Sequence, residues 1–158
     1  MKNSSKEPGP AIKIIVLNKR ARYDYHIEDK FEAGIVLTGT EVKSIRDGKI
    51  TLQESYIRPF RDGIYLLGAN VARYSHNADL HYDPVRSRKL LLNKHEINKL
   101  IGKVSTKGYT IVPLQIYLKK GKVKLEIAIA KGKDAPDKRQ SVKEREAKKE
   151  IARVMSKR

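Results

Sequence analysis

The sequence predicts a mainly β domain: a small closed or partly closed antiparallel barrel of about six strands, with short helices and a basic C-terminal tail. Three observations predict it. Apolar segments of strand length recur through residues 11–130, and four of them flank tight turns in pairs. The helical patterns between them are short and carry capping signals. From residue 131 onward apolar residues become sparse and charge dominates.

Residues 1–10, MKNSSKEPGP, are polar with two prolines and a glycine, and read as a flexible N-terminal arm. Alternation at Ile12, Ile14 and Val16 predicts a strand over 11–17. Residues 18–22 then bring three cations in five positions, Lys19, Arg20 and Arg22, followed at once by Tyr23 and Tyr25. Cations interleaved with aromatics suit RNA, whose unpaired bases stack on guanidinium and phenol faces. The competing reading has one tyrosine packed in the core and the other covering a strand edge. Tyr25 to Leu37 reads as a long strand bent near Gly34.

Residues 32–49, EAGIVLTGTEVKSIRDGK, form the stretch around which the chain is organised: a strand running into a short capped helix. Thr38 precedes Glu41 by three residues, which is capping-box spacing. Val42 and Ile45 share one helical face, Lys43 and Arg46 another, and Gly48 is placed to end the helix. The basic face is either solvated surface or a ledge for phosphate.

Residues 50–59 and 64–69 flank Arg61-Asp62-Gly63, a hairpin signal. Residues 70–89 lose periodicity, and a connection of that length is often functional. It ends in Arg86, Arg88 and Lys89. Asn93 and Glu96 cap a helix with Ile97, Leu100 and Ile101 as its buried stripe and Gly102 as its end. Residues 109–118 and 123–129 form a second hairpin around 119–122, with Val123, Leu125, Ile127 and Ile129 on one face. Pro113 predicts an edge position or a bulge. The strand count favours a barrel of the OB type over a mixed α+β open sheet.

Charge sets the partner class. The 158 residues carry 35 Lys and Arg against 18 Asp and Glu, a formal charge of +17, and an excess of that size suits a polyanion. A membrane is disfavoured: there is no Trp anchor, no strongly apolar amphipathic helix and no apolar run of spanning length. DNA is less favoured than RNA, because no recognition helix or dimerisation heptad is present. The absence of cysteine removes disulfides, thiolate nucleophiles and thiolate zinc sites, and a cytoplasmic location is the default.

Signals for chemistry are weak. His76, Asp79, His81 and Asp83 lie close in sequence without a recognisable ligand spacing. Glu41-Val42-Lys43 matches the Glu-x-Lys pattern of metal-dependent nucleases, but this glutamate is committed to a helix cap. No phosphate loop or nucleophile elbow occurs. The expectation is a binding protein without catalytic residues, metal or cofactor. The tail from Lys131 has 11 cations and 5 acids; it is expected to be disordered when free and helical on an anionic surface, a solvated tail being the alternative.

Four segments in order, LNKRARYDY at 17–25, FEAGIVLTGTEVKSIRDGK at 31–49, DPVRSRKLLLNKHEI at 83–97 and GKDAPDKR at 132–139, resemble the SmpB family. These are the SsrA-binding proteins that partner transfer-messenger RNA in bacterial ribosome rescue. The resemblance runs from about Ile14 to Arg153. It implies an OB-like body over 11–130 that binds the tRNA-like domain of that RNA at its elbow, the pair together mimicking a tRNA. It places RNA-holding roles on Glu32, Leu91 and Asn93, although Leu91 as a core leucine and Asn93 as a helix cap remain open. Arg20, Arg22, Tyr25 and Lys43 join them as RNA-contact candidates, Tyr25 for stacking, and Arg86, Arg88 and Lys89 for backbone charge.

The resemblance also implies that the tail over 131–158 enters the empty messenger channel near the decoding region of the small ribosomal subunit. Lys131, Lys133, Asp137, Lys138, Arg139, Lys143, Arg145, Lys148 and Lys149 are its ribosome-contacting candidates. Pro136 stands where many members carry histidine, so the tail helix is expected to begin later, around Ser141. A monomer is expected. A ribosomal structural protein and a metal-dependent nuclease are the alternatives from other classes.

Overall fold

The computed structural model describes residues 11–133. In chain order these form β1 (Ile12–Leu17), α1 (Lys19–Asp24), β2 (Tyr25–Ile35), α2 (Gly39–Arg46), β3 (Ile50–Thr51), β4 (Tyr56–Phe60), β5 (Gly63–Leu67), β6 (Asn70–Val71), β7 (Arg88–Leu91), α3 (Lys94–Val104), β8 (Tyr109–Lys119) and β9 (Lys122–Gly132). The antiparallel pairings run β8-β4-β5-β7-β2-β9, and β9 returns to β8, so six strands close into a ring. This is the closed antiparallel arrangement expected from the sequence. β1 adds to β8 outside the ring, and β3 and β6 make a separate two-stranded ribbon.

Period-2 alternation fills the ring. Ala33, Ile57, Ile64, Leu66, Leu90, Ile111, Ile116, Leu125, Ile127 and Ile129 are buried in one cluster, to which Ile45 of α2, Leu100 of α3 and Ile50, Leu52, Ala69 and Val71 add. The opposite face of β8 and β9 is not wholly solvated. Val112, Leu114, Ala128 and Ala130 form a second cluster with Ala21 of α1, and Tyr25 and Ile27 pack against it. Small side chains there let α1 lie close to the sheet.

α1 is an addition to the sequence reading. No side chain caps it. Its entry is fixed instead by Asn18, whose amide Nδ2 donates to the Pro113 carbonyl (2.9 Å) and whose backbone N–H donates to the Leu114 carbonyl (2.7 Å). Those carbonyls lie at the register shift between Pro113 and Gln115. Pro113 therefore marks a bulge in a central strand, not an edge.

Both capping boxes form. The Thr38 hydroxyl accepts from the Glu41 amide while the Glu41 carboxylate accepts from the Thr38 amide, and Asn93 and Glu96 do the same for α3. α3 runs past Gly102 to Val104. Ile97 and Val104 join Leu100 against the core, whereas Ile101 is 44% exposed. Packing of Val104 outweighs the roughly 1 kcal/mol cost of an interior glycine. The β8–β9 turn is Lys120-Gly121 with both φ values positive (51° and 75°), the geometry of a two-residue type I′ hairpin.

Beneath the ring lies a buried ionic network. Glu41 is 1% exposed and so is Arg88. Arg88 pairs with Leu66 in register, on the inward side of β7. Its Nε donates to Glu41 Oε2 (2.8 Å), and an Nη approaches the same oxygen at 2.6 Å. The remaining donors reach the carbonyls of Ala69 (3.1 Å), Arg86 (3.0 Å) and Pro84 (3.1 Å). All five guanidinium N–H groups thus have acceptors. Arg86 pairs with the same carboxylate, its Nε at 3.1 Å from Oε2. Burial alone would push the Glu41 carboxyl up; hydrogen bonds from Arg86, the Thr38 amide and Arg88 outweigh it and hold the group at about 2.

Glu41→Gln should leave Arg88 buried without its counter-charge and cost about 3–5 kcal/mol, read as a lower urea midpoint. The folded-state pKa lies below the ordinary 4.5. The pair's contribution is therefore complete above that value and is lost as pH falls through it toward 2. Urea midpoints of the parent should drop across that window, and the drop should be smaller in Glu41→Gln.

Candidate nucleic-acid interface

The ring turns alternate side chains outward, and along β2, β9 and β8 two adjacent rows emerge. Glu32, Glu126 and Gln115 stand side by side, as do Gly34, Lys124 and Tyr117. Leu91 of β7 extends the second row, being paired with Gly34. α1 covers one end of this outer surface; at the end bearing these rows Glu32 is exposed and Gln115, Lys124 and Glu126 are half-buried. At Gly34 a Cβ would lie 3.2 Å from Leu91 Cβ, so glycine is what allows Leu91 to lie flat beside β2.

Glu32 is the oriented group on this surface. Tyr117, itself buried, reaches diagonally across β9 and donates its hydroxyl to Glu32 Oε2 (2.7 Å). Lys119 Nζ donates to the same oxygen at 3.1 Å. The Tyr117 hydrogen bond outweighs desolvation and, with Lys119 and Lys124, lowers the carboxyl below its usual range. Burial and the Glu32 carboxylate push the Tyr117 hydroxyl up. Lys122 and Lys124 line a shallow groove with Gly34 and Leu91. The Arg46 guanidinium donates to the Gly121 carbonyl (3.0 Å), which ties α2 to the hairpin tip.

The structure sorts the sequence candidates. Glu32 and Leu91 lie on one outer face, Glu32 two residues along β2 from the Gly34 that pairs with Leu91, and Leu91 is 55% exposed, which removes its reading as a core leucine. Asn93 is the α3 cap and lies two residues beyond Leu91 at the surface. Lys89 is exposed, its stem passing within 2.9 Å of where a Gly63 Cβ would sit. Arg88 is not the phosphate contact the sequence suggests: alternation turns it inward, every donor is used, and it offers nothing to a phosphate. Arg86 is largely committed as well, to Glu41 and to the Val36 and Ser87 carbonyls.

Lys43 is exposed, with its Nζ 5.4 Å from the Tyr74 ring centroid. Arg20 pairs with Asp24 (3.3 Å), Arg22 is exposed, and Tyr25 is half-buried against the second cluster. Arg20 and Tyr25 line one cleft, apart from the Glu32 rows. Lys131 lies within β9 opposite Tyr109 and His26, and Lys133 donates from its backbone to Asp24 and from Nζ to the Arg22 carbonyl (3.1 Å). Both belong to the body, because β9 outruns the boundary drawn at residue 130. Asp137, Lys138, Arg139, Lys143, Arg145, Lys148 and Lys149 lie outside the described residues.

Lys119, Lys122, Lys124 and Tyr117 were not singled out by sequence. Their signal was the lysine-rich turn between two alternating strands, together with the parity that puts 117, 119, 122 and 124 on one side. Among the described residues, no three His, Asp or Glu side chains converge to hold a metal ion, and no helix is long and apolar enough to cross a membrane.

Fold and site together define a small antiparallel β domain whose outer face sets one oriented carboxylate among lysines. The chain belongs to the SmpB protein family, whose family model matches residues 15–157. It is 53% identical over 140 residues to the SsrA-binding protein of Thermoanaerobacter pseudethanolicus, covering 89% of this chain and 90% of that one. With the SsrA-binding protein of Ruminiclostridium cellulolyticum it shares 51% over 145 residues, covering 92% and 94%. A chain in the solved structure described as "tmRNA-SmpB: a journey to the center of the bacterial ribosome" superposes with a TM-score of 0.65 at 44% identity, over 80% of this chain and 93% of that one.

Tyr117→Phe removes the largest cause of the lowered Glu32 carboxyl. Its NMR titration midpoint should rise toward the ordinary glutamate value while the amide spectrum elsewhere stays that of the parent.

Proposed function

We propose that this protein binds the tRNA-like domain of transfer-messenger RNA and brings it to stalled ribosomes in the bacterial cytoplasm. The observation that carries this reading is the convergence of Glu32, Leu91 and the β8–β9 lysines on one outer face, in a chain related to SsrA-binding proteins. The lysines neutralise phosphates and supply salt-dependent affinity. Glu32 cannot bind phosphate. Its carboxylate accepts from base or ribose donors, which is where discrimination between RNAs arises. Leu91 gives an apolar surface for a base or sugar, and the Asn93 cap fixes the start of α3 beside it. The role is that of a binding protein, with no catalytic step.

The sequence beyond the body supports the finer part of the proposal. A tail with net positive charge suits a channel walled by RNA, and a channel already holding messenger excludes it. Recognition of a stalled ribosome then rests on whether the tube is empty.

Binding to the isolated tRNA-like domain, at one salt concentration near physiological and with excess elongator tRNA as competitor, tests the first part. The parent should resist displacement, and Glu32→Gln should bind about tenfold or more weakly, the scale of a lost charge-assisted hydrogen bond. Equal competition by tRNA would reduce the protein to a generic RNA binder. Truncation after Lys133 should leave this binding intact and abolish peptide tagging in a reconstituted translation system; retained tagging would overturn the tail's role.

A further inference from the structure

The outer face of β4, β5 and β7 lies on a different side of the ring from the Glu32 rows and carries an aromatic and cationic surface of its own. Alternation on β4 buries Ile57 and turns Tyr56, Arg58 and Phe60 outward. Tyr56 is 47% exposed and Phe60 46%. Register places Arg58 opposite Tyr65, and Tyr65 opposite Lys89, so these three make one row across the strands. The Arg58 guanidinium carbon lies 5.7 Å from the Tyr56 ring centroid. Phe60 and Tyr65 meet edge to face, centroids 5.4 Å apart at 83°. The turn adds Arg61, which is exposed, and Asp62, whose carboxylate accepts the Tyr65 hydroxyl (2.6 Å) and fixes that ring.

Three rings exposed or half-exposed on one sheet face require a reason. Core packing does not supply it, since the inward partners Ile57, Ile64 and Leu66 are already buried. We propose that this face is a stacking platform for unpaired RNA bases, with Arg58, Arg61 and Lys89 placed for the connecting phosphates. Flat rings on a rigid sheet offer π faces to bases of any identity, and interleaved cations follow the backbone. Charge favours RNA over a protein partner, because the cations on this face exceed the one carboxylate, and that carboxylate is occupied by Tyr65.

The platform is also continuous with other candidate RNA contacts. Tyr56 lines the cleft that holds Arg20 and Tyr25. At the other edge, Lys89 lies two residues from Leu91 on the same face of β7. The platform does not depend on Glu32, so it stands or falls separately from the proposed function.

The test uses the full chain and a short single-stranded RNA carrying a fluorescent adenine analogue, at fixed salt near physiological. Stacking quenches the analogue, whereas ion pairing to phosphates does not. Residues 131–158 contain no aromatic side chain, so the tail cannot imitate the signal. The parent should quench on binding. Phe60→Ala and Tyr56→Leu should lose most of the quenching and bind about tenfold more weakly, and Tyr56→Phe should restore both. Arg58→Gln should instead lower the salt slope by about one. Tyr56→Leu keeps a sizeable apolar side chain at an exposed position, so failure of an alanine variant to fold would not remove the test. Unchanged quenching and affinity in Phe60→Ala and Tyr56→Leu would overturn the proposal. So would equal binding of a duplex of the same length, or binding of the single strand without quenching in the parent.

Discussion

A single buried carboxylate constrains the rest of the molecule. Glu41 caps α2 with one oxygen and takes two arginines with the pair, so helix, connection and strand share one point. Buried ion pairs are weak contributors to net stability, because desolvation consumes most of the Coulomb gain. What this one supplies is position. Arg88 can satisfy its five donors only if it points into the ring, and strand alternation then sends Lys89 outward, Leu90 inward and Leu91 outward. A slip of one residue would bury Lys89 and Leu91 and expose Arg88 and Leu90. The exposure of Leu91 beside Gly34 is thus a consequence of charge chemistry on the other side of the strand.

The same network explains how a long connection can be placed reproducibly. The carbonyls of Pro84 and Arg86 accept from Arg88, the Val71 amide donates to the Pro84 carbonyl (2.9 Å), and the Tyr82 hydroxyl donates to the Val71 carbonyl (2.8 Å). The end of the connection is therefore held by hydrogen bonds rather than by apolar burial. On the outer face the logic is different. Glu32 is aimed by Tyr117 and Lys119 but remains at the surface, where its lone pairs can meet a ligand. Phosphate contacts give a basic protein affinity for any RNA; an oriented carboxylate gives it a preference.

Much of this was legible in the sequence. Thr38 with Glu41 and Asn93 with Glu96 announced both longer helices, and the turn signals at residues 61–63 and 119–122 announced both hairpins, because these signals are local. α1 was not legible. It has six residues, no side-chain cap, and one buried alanine, and it is held by a side chain reaching a bulge 95 residues away. Arg88 was misread for a related reason. Its neighbours Arg86 and Lys89 suggested a basic run, whereas the deciding partner, Glu41, is 47 residues upstream. In retrospect the parity shared by Arg88 and Leu90 carried the hint. The boundary at residue 130 failed because charge, which marks a tail in composition, also occurs at the end of a paired strand.

The central claim is that one outer face, centred on Glu32 and the β8–β9 hairpin, receives the tRNA-like domain. Lysine footprinting tests it most directly: acylate the full chain free and bound to that domain under excess elongator tRNA, and read each lysine by mass spectrometry. If this face receives the domain, Lys119, Lys122 and Lys124 should be strongly protected relative to Lys19 and Lys49. Uniform protection of all the lysines, or protection that leaves those three as reactive as in the free chain, would contradict it.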